Sequence, residues 1–317
     1  MGDLIVARFG GIRVAMTADL PASPRDGAPP LGGPVVILGA RGLLGTPLAA
    51  LLAERPGVAL HAFGHAELDI TDSRALDDVA RLRPAVIVNC AAFTQVDTCE
   101  SQPDRAERVN AAAAGAVAAV ARAAGARLVH VSTDYVFAGD RGGAWRESDP
   151  TGPAAALCVY GRTKLAGERA VLAAGGETLI VRTSWLFGPA GPNFVATILA
   201  AARSRPELRV VNDQRGRPTY APDLAAAIVA LLDRGATGVV HVANAGACTW
   251  HKFAGAIVRA AGLATPVHPC STAEFPRPAR RPANSVLDTS RYESIVGFPM
   301  RPWQTGLAEY VTLLRAR

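Results

Sequence analysis

The chain has 317 residues, half of them apolar and few aromatic, enough for a large aliphatic core in one big domain or two coupled ones. Its formal charge of +6 is uneven, net −1 over residues 1–199 and +7 over 200–317, so the second half suits a phosphorylated partner. Cys90, Cys99, Cys158, Cys248 and Cys270 have neither CxxC nor zinc-ligand spacing, and no run reaches the roughly 18–20 apolar residues of a membrane span, so no metal centre, disulfide scaffold or membrane protein is expected.

Residues 1–33 stand apart. Pro21, Pro24, Pro29 and Pro30 make the later part poor helix or strand, and the segment reads as a loosely ordered extension. A regular alternation then begins. Strands are expected at Val35–Leu38, Val58–Phe63, Ala85–Cys90, Leu128–Ser132 and Leu179–Thr183. Between them fall helices at Leu43–Ala53, from a cap at Asp72 or Ser73 through Ala80, at about 103–124 and at Tyr160–Ala174. Continuous apolar strands alternating with helices mean a parallel sheet covered on both faces. After Thr183 the rhythm loosens. Helices fit about 194–204, 221–233, 250–261 and 302–316, short strands fit Leu208–Val211 and Val239–Val242, and a Pro/Arg-rich loop runs from Phe275 to Ala283. The fold class is therefore α/β, a Rossmann-type doubly wound parallel sheet with a smaller C-terminal substrate-binding region. Residues 34–185 are its dinucleotide-binding domain. Residues 186–317 are mainly the substrate region, with about 206–245 returning to the sheet.

The run ILGARGLLG places Gly39, Gly42 and Gly45 between a strand and a helix. Glycine there permits a tight turn and close approach of backbone to a pyrophosphate, while the helix N-terminus offers N–H groups and partial positive charge. The end of the second strand reads Gly64-His65, without the carboxylate that would hold the 2′-hydroxyl of NAD. Arg41, inside the glycine loop, suits a 2′-phosphate. NADPH is thus favoured, with NADH left open.

In VYGRTKLAGE, Tyr160 stands four residues before Lys164, one turn apart on a helix face. A neighbouring ammonium favours a phenolate, so this pair can exchange a proton with a carbonyl oxygen as hydride moves. The chain has 31 arginines and only two lysines, Lys164 and Lys252, which makes a lysine at this spacing more telling. At the end of the fourth strand, Ser132 or Thr133 offers a hydroxyl to the phenol and the substrate, or simply caps the turn that follows.

These motifs, with ELDITD, VIVNCAAFTQVDTCE, VSTDYVFAGD, VRTSWLFGP, VNDQRGRPTYAPDLA and RRPANSVLDTSR, resemble the dTDP-4-dehydrorhamnose reductase family from about residue 35 to 291. The resemblance implies NADPH-dependent reduction of the C4 ketone of a nucleotide-linked 4-keto-6-deoxysugar. It implies Thr133, Tyr160 and Lys164 as the catalytic residues. Gly39, Arg41, Gly42, Leu43, Leu44, Gly45, His65, Asp69, Ile70, Ala91, Ala92 and Phe93 would line the cofactor. Thr133, Trp185, Asn193, Arg217 and Arg281 would face the substrate. A cytoplasmic protein without nucleic-acid or membrane partners is expected, and a homodimer stays open. The chain departs from the family at AAALCVYG, before the tyrosine, where Asn-Pro and a polar residue are usual. A non-catalytic regulatory subunit on the same fold, and an epimerase or dehydratase, are the competing readings.

Overall fold

The computed structural model describes residues 5–9, 12–16 and 32–316. Ile5–Phe9 and Ile12–Met16 form an antiparallel pair, so this part of the N-terminal extension has strand structure that its glycines and prolines did not suggest. The remainder of the extension lies outside the described residues.

Six parallel strands make the central sheet: β1 (Gly33–Leu38), β2 (Val58–Phe63), β3 (Val86–Asn89), β4 (Arg127–Thr133), β5 (Thr178–Thr183) and β6 (Gly238–His241). They lie in the order β2-β1-β3-β4-β5-β6. The chain leaves β1 toward one edge and returns through β3 on the other side, so the switch point falls between β1 and β3. In open α/β sheets that crevice, outside the strands' carboxyl ends, is where ligands bind.

One face of the sheet packs on α1 (Gly45–Ala53) and on later helices. The other packs on α2 (Ser73–Arg81), a helical stretch at 96–123 and α6 (Val159–Ala174). Val35 and Ile37 point into the first layer and Val36 and Leu38 into the second, all without exposed surface. Each such side chain contributes about 1.5–3 kcal/mol by leaving water, so a charged residue at Val36 or Ile37 would unmake the sheet's centre. Asp72 caps α2, accepting from the Arg74 N–H at 2.9 Å.

The helix expected at about 103–124 is broken. It comprises α3 (Val96–Ser101), α4 (Pro103–Glu107), a π-helical turn at Arg108–Ala112 and α5 (Ala113–Ala123). The turn brings in Asn110, whose amide accepts from the Phe93 N–H at 2.8 Å and donates to the Phe93 carbonyl and the Thr163 hydroxyl. It thereby fixes the loop after β3.

The C-terminal layer holds α7 (Phe194–Ser204), α8 (Ala221–Asp233), α9 (Trp250–Ala260), α10 (Ser290–Val296) and α11 (Trp303–Arg315). Helix α8 packs on the sheet beside α1, while α7, α9 and α11 enclose a second core around Phe187, Phe253 and Tyr310. Among the described residues no helix is long and apolar enough to cross a membrane.

Candidate active site

At the glycine loop, backbone meets backbone. Gly39 has φ +79°, and a Cβ on it would stand 2.7 Å from the Ala91 nitrogen; one on Gly45 would stand 2.2 Å from the Gly39 carbonyl oxygen. The loop therefore sits on the residues that follow β3, directly over the switch point. Leu44 caps α1 without a side-chain hydrogen bond, which leaves that helix end open to an anion. Leu43 and Gly42 complete the turn, with the Gly42 N–H on the Gly39 carbonyl at 3.0 Å. Ala91 and Ala92 form the opposite wall with buried Phe93, and the Ala91 N–H donates to Asn89 Oδ1 at 3.1 Å.

His65 and Asp69 follow β2. The Asp69 carboxylate accepts from the Thr71 N–H and hydroxyl, both at 2.9 Å, and the first of these holds it below the usual carboxylate range. Ile70 is buried against the sheet. Glu67, three residues beyond Gly64, accepts from the Gly64 N–H and pairs with Arg41.

Alternation along β4 separates the two hydroxyls at its end. Ser132 turns into the protein and donates to Glu168 Oε1 at 2.5 Å. Thr133 turns toward Tyr160, and its hydroxyl draws the phenol down against burial. Thr133 also accepts from the Tyr135 N–H at 3.2 Å and donates to Asp134 at 3.0 Å, so it caps the following turn as well. Burial is the larger influence on Tyr160 and pushes it well above the ordinary phenol range, and Tyr135 meets its ring edge-on at 5.6 Å.

Lys164 corrects one expectation. Its ammonium does not depress the phenol; Nζ donates to the Val131 carbonyl at 2.7 Å and lies 3.4 Å from His130 Nε2, whose other nitrogen is 3.4 Å from the Asn89 amide. Burial lowers Lys164 to about 8, against the opposing pull of Glu168, and holds His130 far below its usual value, so His130 is neutral.

The proposed substrate residues divide. Trp185 lies just beyond β5 with φ +48°, its indole stacked on Trp250 at 3.5 Å and 6°. Arg217 is beside it, because the Ser184 hydroxyl holds the Arg217 carbonyl at 2.7 Å; Arg217 donates to Thr289 at 2.9 Å and its Nε has no partner. Arg281 is gripped by Asp97 at 3.0 and 2.9 Å, on the loop that covers Tyr135 and Cys158. Asn193 is engaged structurally. It caps α7 through the Ala196 N–H and gives its amide protons to Gly188, Gly191 and Tyr310, so the structure does not present it to the crevice. Glu67, Asn89, His130, Asp97, Glu168 and Trp250 were not among the expected site residues, although Glu67, Asn89, Asp97 and Glu168 lie inside the motifs ELDITD, VIVNCAAFTQVDTCE and VYGRTKLAGE.

A glycine-loop crevice at the switch point, with a tyrosine and lysine on one helix and a strand-end threonine beside them, defines a dinucleotide-dependent oxidoreductase of the extended short-chain type. Residues 33–316 match the RmlD substrate binding domain family. The dTDP-4-dehydrorhamnose reductase of Streptomyces griseus is 44% identical over 291 residues, covering 89% of this chain and 94% of that protein. That of Mycobacterium tuberculosis is 45% identical over 280 residues, covering 86% and 91%. The crystal structure of the Bacillus anthracis dTDP-4-dehydrorhamnose reductase in complex with NADP superposes with a TM-score of 0.83 at 38% identity, covering 89% of this chain and 100% of that one. The chain belongs to this family, that of the dTDP-4-dehydrorhamnose reductases.

Proposed function

We propose that this protein reduces the C4 ketone of a nucleotide-linked 4-keto-6-deoxysugar with NADPH, dTDP-4-dehydrorhamnose being the substrate its relatives point to. The carrying observation is the convergence of Thr133, Tyr160 and Lys164 at the carboxyl edge of β4, beside the glycine loop.

The crevice fits the cofactor on its own geometry, since Gly39 and Gly45 leave out the side chains that would fill it and the start of α1 is uncapped. NADPH, when bound, supplies the hydride. Everything else is the chain's work. The N–H groups around Gly42, Leu43, Leu44 and Gly45 receive the pyrophosphate, and Arg41 the 2′-phosphate. Lys164 holds the nicotinamide ribose. Tyr160, with its pKa raised by burial, keeps its proton at neutral pH and is thus ready as an acid at the ketone oxygen. Thr133 orients the phenol and the ketone. Trp185 packs on the sugar, while Arg217, with an unpartnered Nε, and Arg281 face the diphosphate. A surplus of positive charge in the second half of the chain is consistent with that substrate.

The test is NADPH oxidation with dTDP-4-dehydrorhamnose, wild type against Tyr160→Phe. General acid catalysis is worth about 10²–10⁴-fold, and a loss of that size is expected. Equal rates in the two proteins would remove Tyr160 from the chemistry. A parallel panel of other nucleotide 4-keto sugars fixes the sugar and base.

A further inference from the structure

Glu67 is exposed, yet it is held at three points. One carboxylate oxygen takes the Gly64 N–H, and the other takes Arg41 Nε at 3.2 Å and a terminal Arg41 nitrogen at 2.8 Å. Gly64 makes the arrangement possible, since a Cβ there would stand 2.4 Å from Arg41 Cγ and 2.7 Å from Glu67 Oε2. The Ala40 N–H bonds the Phe63 carbonyl at 2.8 Å, so the glycine loop and the end of β2 are one unit. In this type of fold the end of the second strand faces the adenosine ribose, where an acid selects the 2′-hydroxyl and an arginine the 2′-phosphate. Both residue types stand here together, bonded to each other. Asp69, the other acid close by, is engaged by Thr71.

We infer that Glu67 sets the balance between NADPH and NADH by competing with the 2′-phosphate for Arg41. Glu67 already occupies the edge of Arg41 made by Nε and one terminal nitrogen, one of the two edges through which a guanidinium forks an anion. A 2′-phosphate that forks this edge must draw Arg41 away from Glu67. NADH meets no such cost, and the same carboxylate is an acceptor for a 2′-hydroxyl. The Arg41 contact keeps Glu67 ionised, and Glu67 is outside the reacting centre, so it acts on selection and not on the hydride step.

The inference rests on the glycine-loop crevice being the dinucleotide site, and the experiment separates the two. Glu67→Gln retains an amide oxygen for the Gly64 N–H and removes the charge. Dissociation constants for NADPH and NADH are measured on the whole protein by the change in nucleotide fluorescence. NADPH is expected to bind about three- to tenfold tighter to Glu67→Gln, the scale of one solvent-exposed charge contact. NADH should be unchanged or weaker. Arg41→Gln should weaken NADPH alone and abolish the gain from Glu67→Gln in the double variant. Equal shifts for both cofactors, or a gain that persists without Arg41, would overturn the inference. Failure of the wild type to bind either nucleotide would remove the crevice assignment along with it.

Discussion

Glu168 and Arg182 form a two-point ion pair of 2.9 and 2.7 Å under the helix face that carries Tyr160 and Lys164. The side chains are 3% and 5% exposed, so water screens neither. Arg182 comes from β5 and Glu168 from the third turn of the Tyr160–Lys164 stripe, while Ser132, on β4, donates to the same carboxylate. The pair thus ties α6 to the two strands whose ends frame the site. Its other side is closed by His241, 3.4 Å from Arg182, whose pKa is lowered to about 3 by burial first and by Arg182 second.

Removing one member of such a pair leaves the other charged and dry. Glu168→Gln is expected to cost about 3–5 kcal/mol in urea unfolding, and Glu168→Leu combined with Arg182→Met should recover most of that loss. A cost under about 1 kcal/mol for the single change would mean that the pair does not hold α6 in place.

Lys164 gives a stability prediction that depends on pH. Its folded pKa, about 8, is below the ordinary 10.5 because burial disfavours the ammonium. Between these values the unfolded chain binds more protons than the folded one, so this group makes stability rise as pH climbs through that window; below pH 8 the penalty is present in full. Lys164→Met removes it at the loss of one hydrogen bond to Val131. The ligand-free variant should be more stable than wild type at pH 7 by about 1–3 kcal/mol, and the advantage should fade between pH 8 and 10.5 while activity is gone throughout. Urea midpoints at pH 7 and 10 decide it; an advantage of the same size at both would show that burial of the charge is not its source.

Much of the scaffold was legible because local signals agree with tertiary ones. Helix α8 matches its expected span, 221–233, since Pro222 sits in the first turn, where no N–H is needed, and the Ala/Leu face repeats at helical spacing. The break at Arg108–Ala112 was not legible. The Ala-rich sequence favours continuous helix, and it is the Phe93 loop, catching Asn110, that accompanies the wider turn. The strand Val267–Cys270 was missed too, because four residues with an exposed His268 and Pro269 show no alternation, and only pairing with Leu208–Val211 defines it. In the site, Thr133, Tyr160 and Lys164 belong to contiguous motifs. Glu67 acts by folding back over a turn, and Asp97 through partners 180 or more residues away, which a pattern read along the chain does not display.

Asp97 holds the Phe275–Ala283 loop to the start of α3. It accepts from Arg277 at 3.1 and 2.6 Å, from Arg281 at 3.0 and 2.9 Å, and from the Ala279 N–H at 3.2 Å. Burial works against the ionised form, but the two guanidinium groups and the amide prevail and hold Asp97 well below the usual carboxylate range. Its stabilising contribution is therefore complete above the unfolded value near 4 and is lost as pH falls toward the depressed folded one. Asp97→Asn should lose about 1–3 kcal/mol at pH 7, with a smaller deficit near pH 3. It should also raise KM for the nucleotide sugar several-fold through Arg281 while leaving NADPH affinity alone. A variant with an unchanged KM would detach the clamp from substrate binding.

Trp185 sits in a left-handed backbone conformation. A non-glycine residue at φ +48° is strained by about 1–3 kcal/mol, and the surroundings must hold it there. Trp250 does so from one side, its indole stacked parallel on that of Trp185 at 3.5 Å. Gly216 closes against the same indole, where a Cβ would come within 2.4 Å of Trp185 Cε2. Gly216→Ala must therefore push the ring aside. If Trp185 packs on the sugar, this one methyl should raise KM for the nucleotide sugar about tenfold, with NADPH dissociation unchanged, because the glycine loop is on the other side of β4. Trp250→Ala should have a smaller effect in the same direction, as it removes a support without displacing the ring. A Gly216→Ala protein whose KM equals that of wild type, with near-ultraviolet circular dichroism proving that the indole has moved, would take Trp185 out of the substrate site.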